Sequence, residues 1–299
     1  NLEDAENFDD IVDLLQKFIA ERNIPAGTPV LGCLYDHNYL AEGVHPDKKV
    51  LDRASTEHPL AILHTSGHMG VVNSLVLKLA NINEETAEIE GGVIGRYPGS
   101  KEPTGYLEET ALMALGEQLA GAGDDNGEDL LVEVQDFYAS NGVTTVQDGG
   151  TSGAGLAMMR GAGKKGRLKI DIVTYPSPLA TMCPEGLEQV IPANQDIMGT
   201  YQDHVKIGGY KILLDGSPQG KSAWMSEPYE NSGDYCGYPW LKDEVVHACI
   251  KRAIADNQQL LTHCNGDAAS QQLLDIYEEE LAASDNPNKH NLRPGMIHC

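Results

Sequence analysis

Residues 209–224 read Gly-Tyr-Lys-Ile-Leu-Leu-Asp-Gly-Ser-Pro-Gln-Gly-Lys-Ser-Ala-Trp. The run at 210–214 is apolar and of strand length, yet it holds one lysine, Lys211. Asp215-Gly216-Ser217-Pro218 ends the strand and opens a loop. A lysine in a buried strand is costly to desolvate, so it should be neutralised, paired or chemically altered. Carboxylation by carbon dioxide is one such change, turning the cation into a carboxylate that can bridge two metal ions. The plainer reading is a strand-end lysine that reaches solvent or an acidic partner.

Two later strands tip the balance. Residues 260–267, Leu-Leu-Thr-His-Cys-Asn-Gly-Asp, give an apolar strand that ends in His263, then a Gly-containing loop and a helix. Met296-Ile297-His298 repeats the arrangement one strand–helix unit later. In an α/β barrel such positions lie on the C-terminal rim, where active sites sit. Neutral imidazoles on adjacent strands, facing a carboxylate from the strand before, suit zinc or another divalent metal. One strand-end histidine is usually just hydrogen-bonded. Two in successive units after a strand lysine point to a metal site of Lys211, His263 and His298.

The rest of the chain fits around that pattern. Strands are expected at 143–147, 168–175, 210–214, 259–263 and 296–299, with helices at 130–140, 185–191, 243–257 and 268–283 and one starting at 156. Alternation of this kind predicts a parallel sheet, and the length per unit suits part of a (β/α)8 barrel. Helix 130–140 shows an apolar stripe at Leu131, Val134, Phe137 and Tyr138. The first part is less regular: a helix at 8–20, a strand at 30–35, a helix at 48–54, a strand at 60–64, a helix at 71–79 and a Gly/Pro-rich loop at 91–105. Its composition suits loops and a cap, ending near residue 123.

With 299 residues, a large core is available. The net charge of −24, from 45 acidic against 21 basic side chains, excludes the positive footprint that nucleic acids and anionic membranes require. No run approaches a membrane span, and Asn1-Leu2-Glu3-Asp4 shows no signal peptide, so a cytoplasmic location is expected. The six cysteines form no Cys-x-x-Cys and suit reduced, buried thiols. A first residue other than methionine, and an end inside an apparent strand, suggest a piece of a longer protein.

Three motifs tempt and fail. Gly149, Gly153 and Gly155 imitate a dinucleotide turn, but that fingerprint should open the first strand of its domain, and here other strands and helices are expected ahead of it. Residues 216–222 imitate a phosphate loop with three residues between the glycines where four are needed. His64 and His68 have zincin spacing without the intervening Glu. His68, with Asn73, can instead line a pocket, or it can simply cap its loop.

Taken together, the sequence resembles the amidohydrolase superfamily, and within it the family 3 group of N-substituted formamide deformylases and YtcJ-like proteins. Ser66-Gly67-His68 with Val71–Ser74, residues 142–147, Tyr210–Ile212 through Asp215-Gly216-Ser217, His263 through Gly266-Asp267, and Ile297-His298 carry the resemblance. It implies a (β/α)8 metal-dependent hydrolase, here an incomplete barrel. Residues 1–123 would be an insertion or cap after barrel strand 1, and 124–299 would be strands 2 to 6 with their helices. Lys211 corresponds to the strand-4 lysine, and His263 and His298 to the strand-5 and strand-6 ligands, holding one or two zinc or other divalent ions. His68, Asn73 and Asp215 are the substrate-binding candidates. The strand-1 His-x-His and the strand-8 aspartate are missing, so the general base is expected outside this chain. Cys264 and Cys299, beside the histidines, could add soft contacts to a metal.

The implied reaction is hydrolysis of an amide or other non-peptide C–N bond in a small-molecule substrate by a metal-activated water. The rival readings are a mononuclear deaminase-like or isomerase-type member, and a non-catalytic regulatory or binding protein on the same scaffold. Self-association into a homo-oligomer is left open.

Overall fold

Asn7 starts the first helix by accepting the Asp10 N–H, and α1 (Phe8–Glu21) then turns Ile11, Val12 and Leu15 inward. β1 (Val30–Tyr35), α2 (Lys48–Ala54) and β2 (Leu60–His64) follow. The two strands pair in parallel, Val30 with Leu60 through Tyr35 with His64, joined by a crossover helix as parallel pairing requires. β3 (Met69–Val72), α3 (Ser74–Leu79), β4 (Gly92–Arg96), β5 (Pro103–Glu109) and α4 (Thr110–Met113) complete a sheet of order β1-β2-β3-β5-β4, antiparallel beyond β2.

The computed structural model describes residues 1–89, 91–116, 119, 127–177 and 185–299. It divides into two units, Asn1–Asp125 and Asn126–Cys299. Cys183 and the expected boundary after residue 123 lie outside the described residues.

Two expectations for the first unit need correction. Residues 71–79 are not one helix: β3 ends at Val72, and Asn73 accepts the Val76 N–H to start α3. The run 91–105 is not a loop, since it holds β4 and the start of β5. Its glycines masked the alternation.

In the second unit, α5 (Gly127–Ser140), β6 (Thr145–Thr151), α6 (Gly153–Lys164), β7 (Asp171–Pro176), α7 (Glu185–Val190), β8 (Val205–Ile207), β9 (Gly209–Leu213), α8 (Asp243–Ala255), β10 (Gln259–Cys264), α9 (Asp267–Ala283) and β11 (Gly295–His298) follow in order. They form two three-stranded sheets, β6-β7-β8 and β9-β10-β11, parallel throughout. β8 and β9 are one extended run. Gly208 N–H still donates to Thr174 O of β7 at 2.9 Å, and Gly209 then pairs with Gln259 of β10. The switch needs a residue without a side chain: a Cβ on Gly209, at φ +159°, would lie 2.1 Å from Gln259 O.

The described residues therefore form an α/β fold with one mixed and two parallel sheets, and no closed barrel. The single curved sheet expected from the sequence is replaced by two sheets sharing the 205–213 run. The main core lies between the β-strands and the helices. Val246, Cys249, Ile250, Ala253 and Ile254 of α8 and Ala269, Leu273 and Ile276 of α9 pack on Tyr210, Ile212, Leu214 and Leu260. Each large apolar side chain so buried contributes roughly 1.5–3 kcal/mol. α5 departs from its expected stripe: Val134, Phe137 and Tyr138 are exposed. The helix is fixed instead by buried Gln135, which donates to Arg167 O at 2.7 Å and accepts from Lys169 N–H at 2.6 Å. No helix among the described residues is long and apolar enough to cross a membrane.

Candidate functional site

Alternation along β9 puts Tyr210, Ile212 and Leu214 against the helices and leaves Lys211 on the opposite face. Lys211 is in register with Leu261 of β10, and Leu213 with His263, so lysine and histidine share that face. Lys211 is 7% exposed, and among the described residues its ammonium has no ion pair and no hydrogen bond. Burial pushes its pKa below the ordinary lysine value, with only the Cys264 thiol acting in the other direction.

His263 is buried at the end of β10, and its Nε2 lies 3.0 Å from Gly216 O. A carbonyl can only accept, so this contact calls for a proton on Nε2, while the Asn265 amide nitrogen, itself a donor, lies 3.2 Å from the same atom. Asn265 Nδ2 donates to the same carbonyl at 2.8 Å. β11 pairs beside β10 with His298 level with Cys264, and the His263 and His298 rings meet edge to face with centroids 4.7 Å apart. His298 is exposed and sits at φ +74°.

Asp215 organises this end of the sheet. Its fully buried carboxylate accepts Asn265 N–H at 2.9 Å, Gly266 N–H at 2.6 Å and Trp224 N–H at 3.0 Å, and Oδ1 lies 3.5 Å from His263 Nε2. The loop comes so close that a Cβ on Gly266 would sit 1.7 Å from Trp224 O. Asp215 thus ties the loop after β9 to the loop after β10.

Asn73 is likewise structural. Its side chain accepts Leu60 N–H and Val76 N–H and donates to Ser55 O and His58 O, entirely within the first unit and fully buried. His68 pairs through Nδ1 with Glu109 Oε2 at 2.9 Å. Glu109 is fully buried at φ +50°, a strained setting for a residue with a side chain, and sequence reasoning had not singled it out. Cys264 is buried, and desolvation followed by the Asp215 charge pushes its thiol up to about 12. Cys299 is exposed, with its Sγ 3.2 Å from Met296 Sδ.

A second cluster lies at the carboxyl ends of β1 and β2. Asp36, His37 and His64 bring one donor atom each within 4.8 Å of one another. Burial lowers the pKa of His37 and of His64, with Asp36 opposing, and both imidazoles are biased toward the neutral form. His45, stacked on His37 at 3.8 Å, is pushed down to about 3 by burial and then by its histidine neighbours. The signal was present in the sequence as Asp-His after one strand and His at the end of the next. It was passed over because His64 was weighed only against His68.

Comparison with known proteins decides the family. The Amidohydrolase family model matches residues 1–299. The chain belongs to the amidohydrolase family. Within the family's wider company it is 26% identical over 281 residues to Protein LONG AFTER FAR-RED 3 of Arabidopsis thaliana, covering 89% of this chain and 46% of that one. It is 23% identical over 290 residues to the putative amidohydrolase YtcJ of Bacillus subtilis (strain 168), covering 93% of this chain and 50% of the relative. The fold is similar to that of an uncharacterized metal-dependent hydrolase from Pyrococcus horikoshii OT3, at a TM-score of 0.62 and 20% identity over 94% of this chain and 52% of that one. This amidohydrolase-family chain spans about half the length of the curated relatives it matches.

Proposed function

We propose that the chain is part of a metal-dependent hydrolase that cleaves an amide or another non-peptide C–N bond in a small molecule. In this reading the second unit supplies strands 2 to 6 of a (β/α)8 barrel, and the first unit is a cap inserted after strand 1. The observation that carries it is the meeting of the His263 and His298 rings at the carboxyl ends of adjacent parallel strands, on the sheet that also holds the uncompensated Lys211.

The donor set fits a divalent ion. Gly216 O holds the His263 ring through Nε2, and such outer contacts are what orient a metal-binding imidazole. His298 would be the second ligand. A depressed lysine pKa raises the fraction of neutral amine, the form that reacts with carbon dioxide, so Lys211 is suited to carboxylation and to bridging a second ion. A bound divalent ion supplies Lewis acidity and brings the pKa of a water from about 15.7 toward about 7. Asp215 and Asn265 hold the two loops that frame the histidines. The general base comes from outside these 299 residues. Zinc is the ion proposed, and a cytoplasmic location goes with the reduced cysteines.

The test is elemental analysis of the full-length protein beside His263→Ala and His298→Ala, with hydrolysis of a panel of N-acyl and N-formyl amines. The expected result is bound divalent metal and chelator-sensitive hydrolysis, both reduced in each variant. Unchanged metal content in both variants, or amide hydrolysis indifferent to chelation, would sink the proposal.

A further inference from the structure

We propose that the first unit carries its own divalent-cation site, built from Asp36, His37 and His64 and independent of the site around His263. The three donors come from the loop after β1 and from the last residue of β2, placed by one local device. β1 and β2 run parallel and end level with each other, Tyr35 beside His64. Their pairing shifts between Cys33 and Tyr35, where Leu34 takes φ +72°. That irregularity delivers Asp36 and His37 immediately beyond the strand, against His64 at the end of its neighbour. The carboxyl ends of parallel strands are where open α/β sheets receive ligands.

The distances discriminate between geometries. His37 Nδ1 lies 3.2 Å from His64 Nε2, His64 Nε2 lies 3.4 Å from Asp36 Oδ1, and His37 Nδ1 lies 3.8 Å from Asp36 Oδ1. Ligands about 2.0–2.1 Å from a tetrahedral ion are spaced about 3.3–3.4 Å apart. Adjacent ligands of an octahedral ion at the same distance are spaced about 2.9 Å apart. The mean of the three separations falls near the tetrahedral value. Two imidazoles and one carboxylate with partial access to solvent describe a zinc-type site with an open fourth position.

Outer contacts support each ligand. Asn38 donates to Asp36 Oδ1 through its backbone N–H and its Nδ2, both at 2.9 Å. His45 stacks on His37 and is itself held by Tyr35 Oη at 2.9 Å from its Nδ1. Without an ion, the Nε2 proton of His64 lies between His37 Nδ1 and Asp36 Oδ1. Binding puts the cation in that proton's place. The proton passes to His64 Nδ1, where Ser66 Oγ, 2.9 Å away, accepts it. Ser66 N–H also lies 3.1 Å from Nδ1, so the tautomer change opposes the binding of any ion to the same degree.

Cobalt(II), a spectroscopically visible substitute for zinc, tests this in the full-length protein carrying both His263→Ala and His298→Ala. The expected result is one retained equivalent with the intense visible absorption of tetrahedral cobalt, weakened at least about 100-fold by adding His37→Ala or the isosteric Asp36→Asn. Far-UV circular dichroism establishes that each variant is folded, and a zinc-induced rise in melting temperature that Asp36→Asn abolishes is the second readout. Failure of the His263/His298 double variant to bind cobalt in the first unit overturns the inference. So does binding that is indifferent to both Asp36 and His37.

Discussion

Replacing Asp215 by alanine should collapse the end of the sheet that holds His263. Its carboxylate accepts three backbone N–H groups, from Trp224, Asn265 and Gly266, in a fully buried position. Alanine leaves those donors without their partner, at roughly 1–3 kcal/mol for each buried group left unsatisfied. The groups share one loop junction, so the losses do not simply add, and about 3–6 kcal/mol is expected. That is a large part of the total for a domain, which is roughly 5–15 kcal/mol. Asparagine provides a finer test. Its oxygen can keep the Trp224 and Gly266 bonds while its amide faces the Asn265 N–H, donor against donor. The expected cost is then about 1–3 kcal/mol, one unsatisfied group. Urea denaturation followed by tryptophan fluorescence is the assay, because the chain's two tryptophans, Trp224 and Trp240, both lie in the second unit. An alanine variant within about 0.5 kcal/mol of the parent, the range of an ordinary surface substitution, would refute the reasoning.

Asn73→Ala should cost about 2–4 kcal/mol, since a helix cap and a buried bridge to Leu60, Ser55 and His58 go together; thermal melts would show it. Gly266→Ala should give little soluble, folded second unit, because its Cβ would press on Trp224 O; soluble yield and tryptophan emission report it. Asp267, whose carboxyl the Ser226 hydroxyl and N–H hold below the usual carboxylate range, contributes stability that is present above the unfolded value and lost as pH falls through the lower folded one. Asp267→Asn should therefore melt lower than the parent at neutral pH, and the two should converge in acid.

Local patterning made the second unit legible. The strand–helix alternation, the histidines at strand ends and the lysine among apolar residues each depend on neighbours in sequence. Sequence could not show that Gly208–Gly209 divides one run between two sheets, because that depends on how closely Gln259 approaches. The hydrogen bonds of Asn73 and Asp215 were not legible in the sequence. Their actual partners are backbone groups up to about fifty residues away. Gln135 carried no signal at all: a polar residue inside a helical stripe becomes the anchor only once Arg167 and Lys169 arrive beside it. The Asp36–His37–His64 cluster stayed hidden because its spacing in sequence is long and its geometry comes from a strand irregularity.

The outer strands of the two parallel sheets bear on how the isolated chain behaves in solution. β6 and β11 each have a strand partner on one side alone among the described residues. The free sides present rows of amide hydrogens and carbonyls, the template by which one β-strand recruits another. β11 is four residues long, and β6 mixes exposed and half-buried residues up to buried Thr151. A strand laid along either rim would be held by backbone pairing, which any extended peptide can imitate, so side-chain identity on β6 and β11 would do little to select what pairs there.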